Sequence, residues 1–285
     1  MKFLVIGAGG MAGHLISIYL KERGHDVVGF ARRPCPYVPS VVGDVTDLPA
    51  VRSLVQDGGF DSVINCVGLL NQFAQEQPAQ AVFVNAYFPH ALAEMTAHLD
   101  TQVIHMSTDC VFSGKQGGYR EDSLRDGESF YDRSKALGEL EDNKNLTFRC
   151  SIVGPDINPN GIGLLNWFMR QSGPINGYTR AMWTGVTTLQ LAKMMELGAE
   201  QKAHGLYHVV PDHNISKYEL LCLFNHYLRN DEVTIRKFDG FVADKTLIRT
   251  RFDFAPIVPD YADMVRELAV WMDQHASLYP HYDRR

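Results

Sequence analysis

Tyr131 and Lys135 stand four residues apart in Tyr131-Asp132-Arg133-Ser134-Lys135, so on a helix the phenol and the ammonium share one face. Upstream, the apolar run Val103-Ile104-His105-Met106 leads into Ser107-Thr108-Asp109, a strand end whose hydroxyls could meet that face. These groups together can reduce a ketone. A hydride arriving at a carbonyl carbon leaves charge on oxygen, and Tyr131 can supply the proton if the neighbouring Lys135 cation lowers its pKa. A Thr108 hydroxyl would bond the same oxygen and steady the developing charge, while Lys135 can also bond a cofactor ribose. A tyrosine and a lysine at this spacing are by themselves a common amphipathic surface pair; what gives them weight is what precedes them.

A short apolar run over 2–6 passes directly into Gly7-Ala8-Gly9-Gly10-Met11-Ala12-Gly13 and then a helical pattern. A tight turn, close approach of backbone to phosphate and a helix N-terminus with free N–H groups are what a pyrophosphate needs, and glycine permits all three. Where an NAD-selective site would carry an acid on the ribose, the second strand ends Phe30-Ala31-Arg32-Arg33. A guanidinium suits the additional 2′-phosphate of NADP, so Arg32, Arg33 or both point to NADPH, with NADH as the alternative. Gly43-Asp44-Val45 follows the next strand, at a position that commonly faces the adenine, although Asp44 is equally a turn former. Asn65-Cys66-Val67-Gly68 ends another buried strand at the carboxyl edge of the sheet, where open α/β sheets bind ligands.

The elements that must hold these residues alternate between β-branched runs and helix-period segments, the pattern of a parallel sheet covered on both faces. Strands are expected over 2–6, 26–30, 41–42, 62–67 and 102–106, and helices over 11–23, 48–56, 78–83 running on through 87–98, and 131–140. Residues 1–150 form the dinucleotide-binding part. A loop cluster of Pro155, Asn158, Pro159, Asn160, Gly161 and Gly163 opens the substrate lobe, 151–285, with a helix over 164–170. A helix over 187–200 is expected to return to the first domain near 185–205, so that the lobes interleave, and another covers 216–228 with Ser216 as N-cap and Glu219 three residues on. Ser216-Lys217, His208 and His213 read as cap and loop residues.

Composition narrows the function further. Of 285 residues 45% are hydrophobic and 21% charged, enough for a large core, and the net charge of −6 without a long basic run argues against nucleic acid. The glycines interrupt the apolar start, which reads as structure and not as a signal peptide, and no stretch approaches the ~20 apolar residues of a membrane span. The five cysteines, Cys35, Cys66, Cys110, Cys150 and Cys222, are scattered without metal-binding spacing, which fits a cytoplasmic enzyme without a metal. A homodimer is the expected assembly, and the run Trp167-Phe168-Met169 serves either lobe core or interface.

Residues 7–13, 107–114, 119–122 and 131–139 together resemble the dTDP-4-dehydrorhamnose reductase family of extended short-chain dehydrogenases, strongly over 1–155 and thinly beyond. The resemblance implies a Rossmann-type doubly wound parallel sheet with a smaller, interleaved α+β substrate lobe. It implies an active site of Thr108, Tyr131 and Lys135, a dissociable NAD(P)H contacted also by Met11, Asn85 and Ser107, and a nucleotide-sugar substrate. That substrate is a 4-keto-6-deoxyhexose on dTDP or UDP, of deoxysugar and surface polysaccharide biosynthesis, with Asp109, Asn166, Trp183 and Thr187 as its contacts. Trp183 offers an aromatic face, or is a core tryptophan. Two departures stand out: Cys110 replaces an aromatic after Ser-Thr-Asp, and Asp132 replaces the glycine after the tyrosine. Dehydratases of this fold follow the threonine with Asp-Glu; with Cys110 in that place reduction is favoured, leaving an epimerase or dehydratase, or a non-catalytic NADP-binding subunit such as that of methionine adenosyltransferase, as alternatives.

Overall fold

A computed structural model describes residues 1–282. Seven parallel strands form its central sheet: β1 (Lys2–Ile6), β2 (Asp26–Ala31), β3 (Ser40–Val42), β4 (Ser62–Asn65), β5 (Gln102–Ser107), β6 (Leu146–Arg149) and, arriving late in the chain, β10 (Gly205–His208). Their spatial order is β10-β6-β5-β4-β1-β2-β3. The winding reverses at β1, which has β2 on one side and β4 on the other, and ligands of open α/β sheets bind at such a switch point.

Both faces of the sheet are buried, which is why its strands are nearly unbroken apolar runs. Phe3 and Val5 face a core shared with Leu15 and Ile16 of α1 (Met11–Glu22) and Leu191 and Met195 of α8 (Thr188–Glu200). Leu4 and Ile6 face the opposite core, with Val51 and Val55 of α2 (Leu48–Asp57) and Phe88, Leu92 and Met95 of α5 (Phe88–Met95). The loop after β4 carries α3 (Asn71–Glu76), and α6 (Phe130–Leu137) follows β5.

Two expected elements differ from those observed. The strand expected to reach 67 ends at Asn65, because the Asn65 side chain accepts the Val67 N–H at 3.2 Å and turns the chain out of the ladder. The long helix expected from 78 is α4 (Pro78–Ala81), a π turn over Val82–Tyr87, and then α5. Pro89 has no N–H to give to the Asn85 carbonyl four residues back, so the turn widens there.

Beyond β6 the chain builds β7 (Ser151–Val153), α7 (Leu164–Met169), β8 (Ile175–Trp183) and β9 (Gly185–Thr187), returns through α8 and β10, and leaves again as β11 (Ile215–Ser216), α9 (Lys217–Arg229), β12 (Ile235–Asp244) and α10 (Tyr261–Gln274). β8 lies between β11 and β12, and β7 pairs with β9. Ser216 and Glu219 close a capping box on α9. Among the described residues no helix is long and apolar enough to cross a membrane.

Candidate active site

The glycine loop leaves β1 with Gly7 at φ +87°, a left-handed conformation that glycine accepts without strain. Its N–H donates to the Phe30 carbonyl at 2.8 Å, and a Cβ here would lie 3.1 Å from Val67 Cγ2, so the loop is pressed between the ends of β2 and β4. Gly9 and Gly10 are exposed, and α1 begins on Gly10 with no side chain capping its first turn and no acid in it. Those N–H groups form an anion-binding end. A Cβ at Gly163 would lie 2.9 Å from the Met11 sulfur, so the loop before α7 crosses the start of α1.

Arg32 and Arg33 are exposed just past β2, close to the glycine loop, where a Cβ on Gly9 would stand 3.7 Å from that of Ala31. Asp44 turns the chain after β3: one carboxylate oxygen accepts the Thr46 N–H at 2.9 Å and its hydroxyl at 2.8 Å, and these bonds, with Arg32 nearby, hold the carboxyl below its usual range. Val45 follows, half-buried against the α2 side of the sheet. Cys66, Val67 and Gly68 occupy the loop beyond β4. Asn85, buried in the π turn, reads the backbone of Leu69 both ways, at 2.8 and 2.9 Å, and donates to Ser134 Oγ at 3.0 Å. It thereby ties the β4 loop to α6.

The catalytic candidates converge at the ends of β5 and α6. Thr108 caps the short turn Asp109–Val111, accepting the Cys110 N–H at 3.1 Å and donating to Asp109 Oδ1 at 3.2 Å. Ser129 caps α6, and Asp132 completes the box: Ser129 Oγ accepts the Asp132 N–H at 3.0 Å and Asp132 Oδ2 accepts the Ser129 N–H at 3.1 Å. Asp132 in place of glycine therefore has a structural use, starting the helix that carries Tyr131. Tyr131 and Lys135 are both buried, 7% and 5% exposed. Cys110 and Cys66 are pushed up to about 12 by burial, which leaves neither as a thiolate nucleophile.

One expectation is corrected. Burial raises the Tyr131 phenol well above its usual range, with Cys110 and Asp109 adding to it and a Thr108 hydrogen bond opposing it. Lys135 does not lower it, because its ammonium is turned to the strand, donating to the Met106 carbonyl at 2.6 Å. Burial in turn lowers Lys135 to about 8, against the pull of Glu139. The phenol is thus protonated, as a general acid must be before transfer, while the upward shift makes the transfer harder.

Asn166 and Trp183 are corrected too. Asn166 is fully buried, and its amide donates to the carbonyls of Gly161 at 2.6 Å and Pro159 at 3.3 Å, closing the loop ahead of α7. Trp183 is 3% exposed, its ring against Tyr261 at 5.7 Å and under the Lys217 ammonium at 5.2 Å, so it has no open face for a sugar or base. Thr187 spends its hydroxyl capping α8. All three were placed by position along the chain, and burial depends on partners that position does not reveal.

A buried charge network behind the site was not foreseen. Ser107 Oγ donates to Glu139 at 2.5 Å; Glu139 is held by Arg149 at 2.7 and 2.6 Å and by Arg125. Burial alone would raise the Glu139 carboxyl, but Arg149 keeps it below its usual range. Arg149, with no exposed surface, continues to His208 Nε2 at 2.9 Å, and Glu121 accepts the N–H groups of His208 and Thr250 at 3.2 and 2.9 Å. Glu121 and Glu139 stand in two of the segments that carry the family resemblance, but both have charged neighbours in sequence, Arg120 and Asp122 for one and Glu141 and Asp142 for the other, so nothing local marks them as buried.

A doubly wound nucleotide-binding sheet with a hydroxyl, a phenol and a lysine at its carboxyl edge defines the Rossmann-type reductases and their relatives as a class. Within it, residues 1–239 match the family described as RmlD substrate binding domain, and the chain belongs to that family. A dTDP-4-dehydrorhamnose reductase of Mycolicibacterium smegmatis is 34% identical over 141 residues, 48% of this chain and 40% of that protein. The chain thus spans less than half the length of this curated reductase. Methionine adenosyltransferase 2 subunit beta of Xenopus laevis is 25% identical over 78% of this chain and 70% of its own length. The crystal structure of a dTDP-4-dehydrorhamnose reductase from Bacillus anthracis in complex with NADP superposes with a TM-score of 0.80 at 19% identity, covering 95% of this chain and 99% of that one, which establishes the fold.

Proposed function

We propose that the protein is an NADPH-dependent reductase of the 4-keto group of a nucleoside-diphosphate 6-deoxyhexose, dTDP- or UDP-linked, in the cytoplasmic synthesis of surface glycans. The observation that carries this reading is the convergence of Thr108, Tyr131 and Lys135 at the carboxyl edge of a sheet whose first strand runs into a glycine loop, where Gly7 and Gly13 leave no room for a side chain. The family membership and the reductases and NADP complex among the relatives support it.

In this reading residues 1–150 with the return through α8 and β10 bind the dinucleotide, and the remainder binds the sugar nucleotide; the chain works as a homodimer. Gly7, Gly9, Gly10, Met11 and Gly13 cradle the pyrophosphate, Arg32 and Arg33 the 2′-phosphate, Asp44 and Val45 the adenine side, and Cys66, Val67, Gly68 and Ser107 line the approach to the nicotinamide, with Asn85 fixing the loop. When bound, NADPH supplies the hydride; NADH is the weaker alternative. Tyr131 donates its proton to the carbonyl oxygen of the sugar, Thr108 hydrogen-bonds that oxygen, and Lys135 holds the ribose. Asp109 meets the sugar next to the carbonyl.

The test is loss of NADPH absorbance with dTDP- and UDP-linked 4-keto-6-deoxyhexoses, with NADH in parallel. Turnover establishes the reaction. Tight NADPH binding with no turnover on any of them would instead favour a non-catalytic binding subunit.

A further inference from the structure

Two tyrosines late in the chain hold backbone that borders the glycine loop. After α10 a short turn over Ala276–Leu278 leads to Tyr279 and Tyr282, which are 3% and 6% exposed. Tyr282 donates its N–H to the Tyr279 carbonyl at 3.0 Å and the two rings stack at 5.9 Å, so one turn fixes both hydroxyls. The Tyr279 hydroxyl meets His14 Nε2 at 2.8 Å, and His14 Nδ1 meets the Gly10 carbonyl oxygen at 3.0 Å. A carbonyl only accepts, so on the neutral ring Nδ1 carries the proton, Nε2 accepts, and Tyr279 is the donor. This pair of bonds ends on Gly10, the residue on which α1 begins. The Tyr282 hydroxyl accepts the Asp156 N–H at 2.9 Å. Asp156 lies in the loop ahead of α7, whose Gly163 passes against Met11 at the start of α1. Each hydroxyl thus holds a different segment beside the same helix end: one the glycine loop, the other the loop that crosses it.

We propose that Tyr279 and Tyr282 are positioning residues for the dinucleotide: through His14 and Asp156 they hold the two segments that meet at the pyrophosphate. The proposal rests on the reading of the glycine loop as the pyrophosphate site. The N–H groups at the start of a helix bind an anion only where they converge on it, and the setting of Gly10 decides that convergence. Without the Tyr279 hydroxyl, His14 Nε2 is buried and unpaired, and its ring is free to turn away from the Gly10 carbonyl. Without the Tyr282 hydroxyl, the Asp156 N–H is buried without an acceptor, and the crossing loop loses its tie. Phenylalanine at either position fills the same volume and removes only these bonds. The effect therefore falls on the phosphates and spares the adenine side, which Arg32, Arg33 and Asp44 border from β2 and β3.

The experiment is calorimetric binding of NADPH and of adenosine 2′-monophosphate to the full chain as wild type, Tyr279→Phe, Tyr282→Phe and the double variant. Adenosine 2′-monophosphate keeps the adenine and the 2′-phosphate and lacks the pyrophosphate, so its retained binding also certifies the fold of each variant. NADPH should weaken about three- to tenfold in each single variant, the cost of one hydrogen bond, and further in the double variant. Adenosine 2′-monophosphate should stay within about twofold throughout, a split that general loss of stability would not produce. If NADPH loses no more than adenosine 2′-monophosphate does, the inference is overturned while the glycine loop keeps its cofactor. A wild type that binds no NADPH overturns the reading of that loop and the inference with it.

Discussion

Gly13 sits on the carbonyl of Gly7: a Cβ at Gly13 would lie 2.1 Å from that oxygen and 2.8 Å from its carbon. Both are backbone atoms held between strands, since Gly7 also receives the Gly10 N–H at 2.9 Å. Gly13→Ala must therefore spread the loop away from the helix. The expected result is a loss of about 1–3 kcal/mol of stability, together with loss of the upward shift in melting temperature that NADPH gives the wild type. A variant that melts normally and is still stabilised by NADPH would show that the loop does not bind the pyrophosphate.

Arg32 and Arg33 are exposed and adjoin the glycine loop, and their proposed use is confined to a 2′-phosphate. Replacing both with alanine should weaken NADPH about tenfold or more while changing NADH within about twofold, as expected for charge-assisted bonds to a phosphate. Fluorescence titration of each nucleotide reads the difference. Equal losses would remove the arginines from cofactor selection.

What the sequence makes plain depends on how local each feature is. β1, the glycine loop and α1 are contiguous, and their order along the chain predicts them. The Tyr131–Lys135 face follows from helical spacing, and Ser129-x-x-Asp132 was available as a capping signal that explains the departure at Asp132. Trp183 and Asn166 are different. Trp183 is covered by Tyr261, 78 residues on, and by Lys217, so its burial is not encoded nearby. The π turn could be read from Pro89 and Asn85 only by knowing that the helix continued through both. α10 had a legible signal in the N-cap Asp260 and the buried set Tyr261, Met264, Val265, Leu268 and Met272.

In the proposed reaction Tyr131 and Lys135 would make separable contributions to rate and pH dependence. Tyr131→Phe keeps the ring and removes the proton, so kcat should fall about 10²- to 10⁴-fold with NADPH binding unchanged; retained turnover would assign the acid elsewhere. Burial lowers Lys135 to about 8, so this cation is charged below about 8 and loses its proton as pH rises through it. With Lys135 in its proposed place, kcat/KM should decline above pH 8 as a single-proton limb; a profile flat to pH 10 would exclude Lys135 from the rate.

His14, on the buried face of α1, joins the cofactor loop to the end of the chain. Its Nδ1 lies 3.0 Å from the Gly10 carbonyl oxygen and its Nε2 2.8 Å from the Tyr279 hydroxyl, with no ring surface exposed. Burial lowers its pKa to about 4 from an ordinary 6.5, against the ring's hydrogen bonding to the backbone of α1's first turn. The sign follows: between those two values the unfolded chain takes up a proton that the folded one refuses, so stability is full above pH 6.5 and falls as the pH drops toward 4. At pH 5 the loss from this residue is about 2 kcal/mol. His14→Gln, which cannot ionise, should start from a lower stability at pH 7 because it loses part of the packing, yet show a smaller drop between pH 7 and pH 5. Chemical denaturation at the two pH values measures both, and an undiminished drop in the variant would place the acid sensitivity elsewhere.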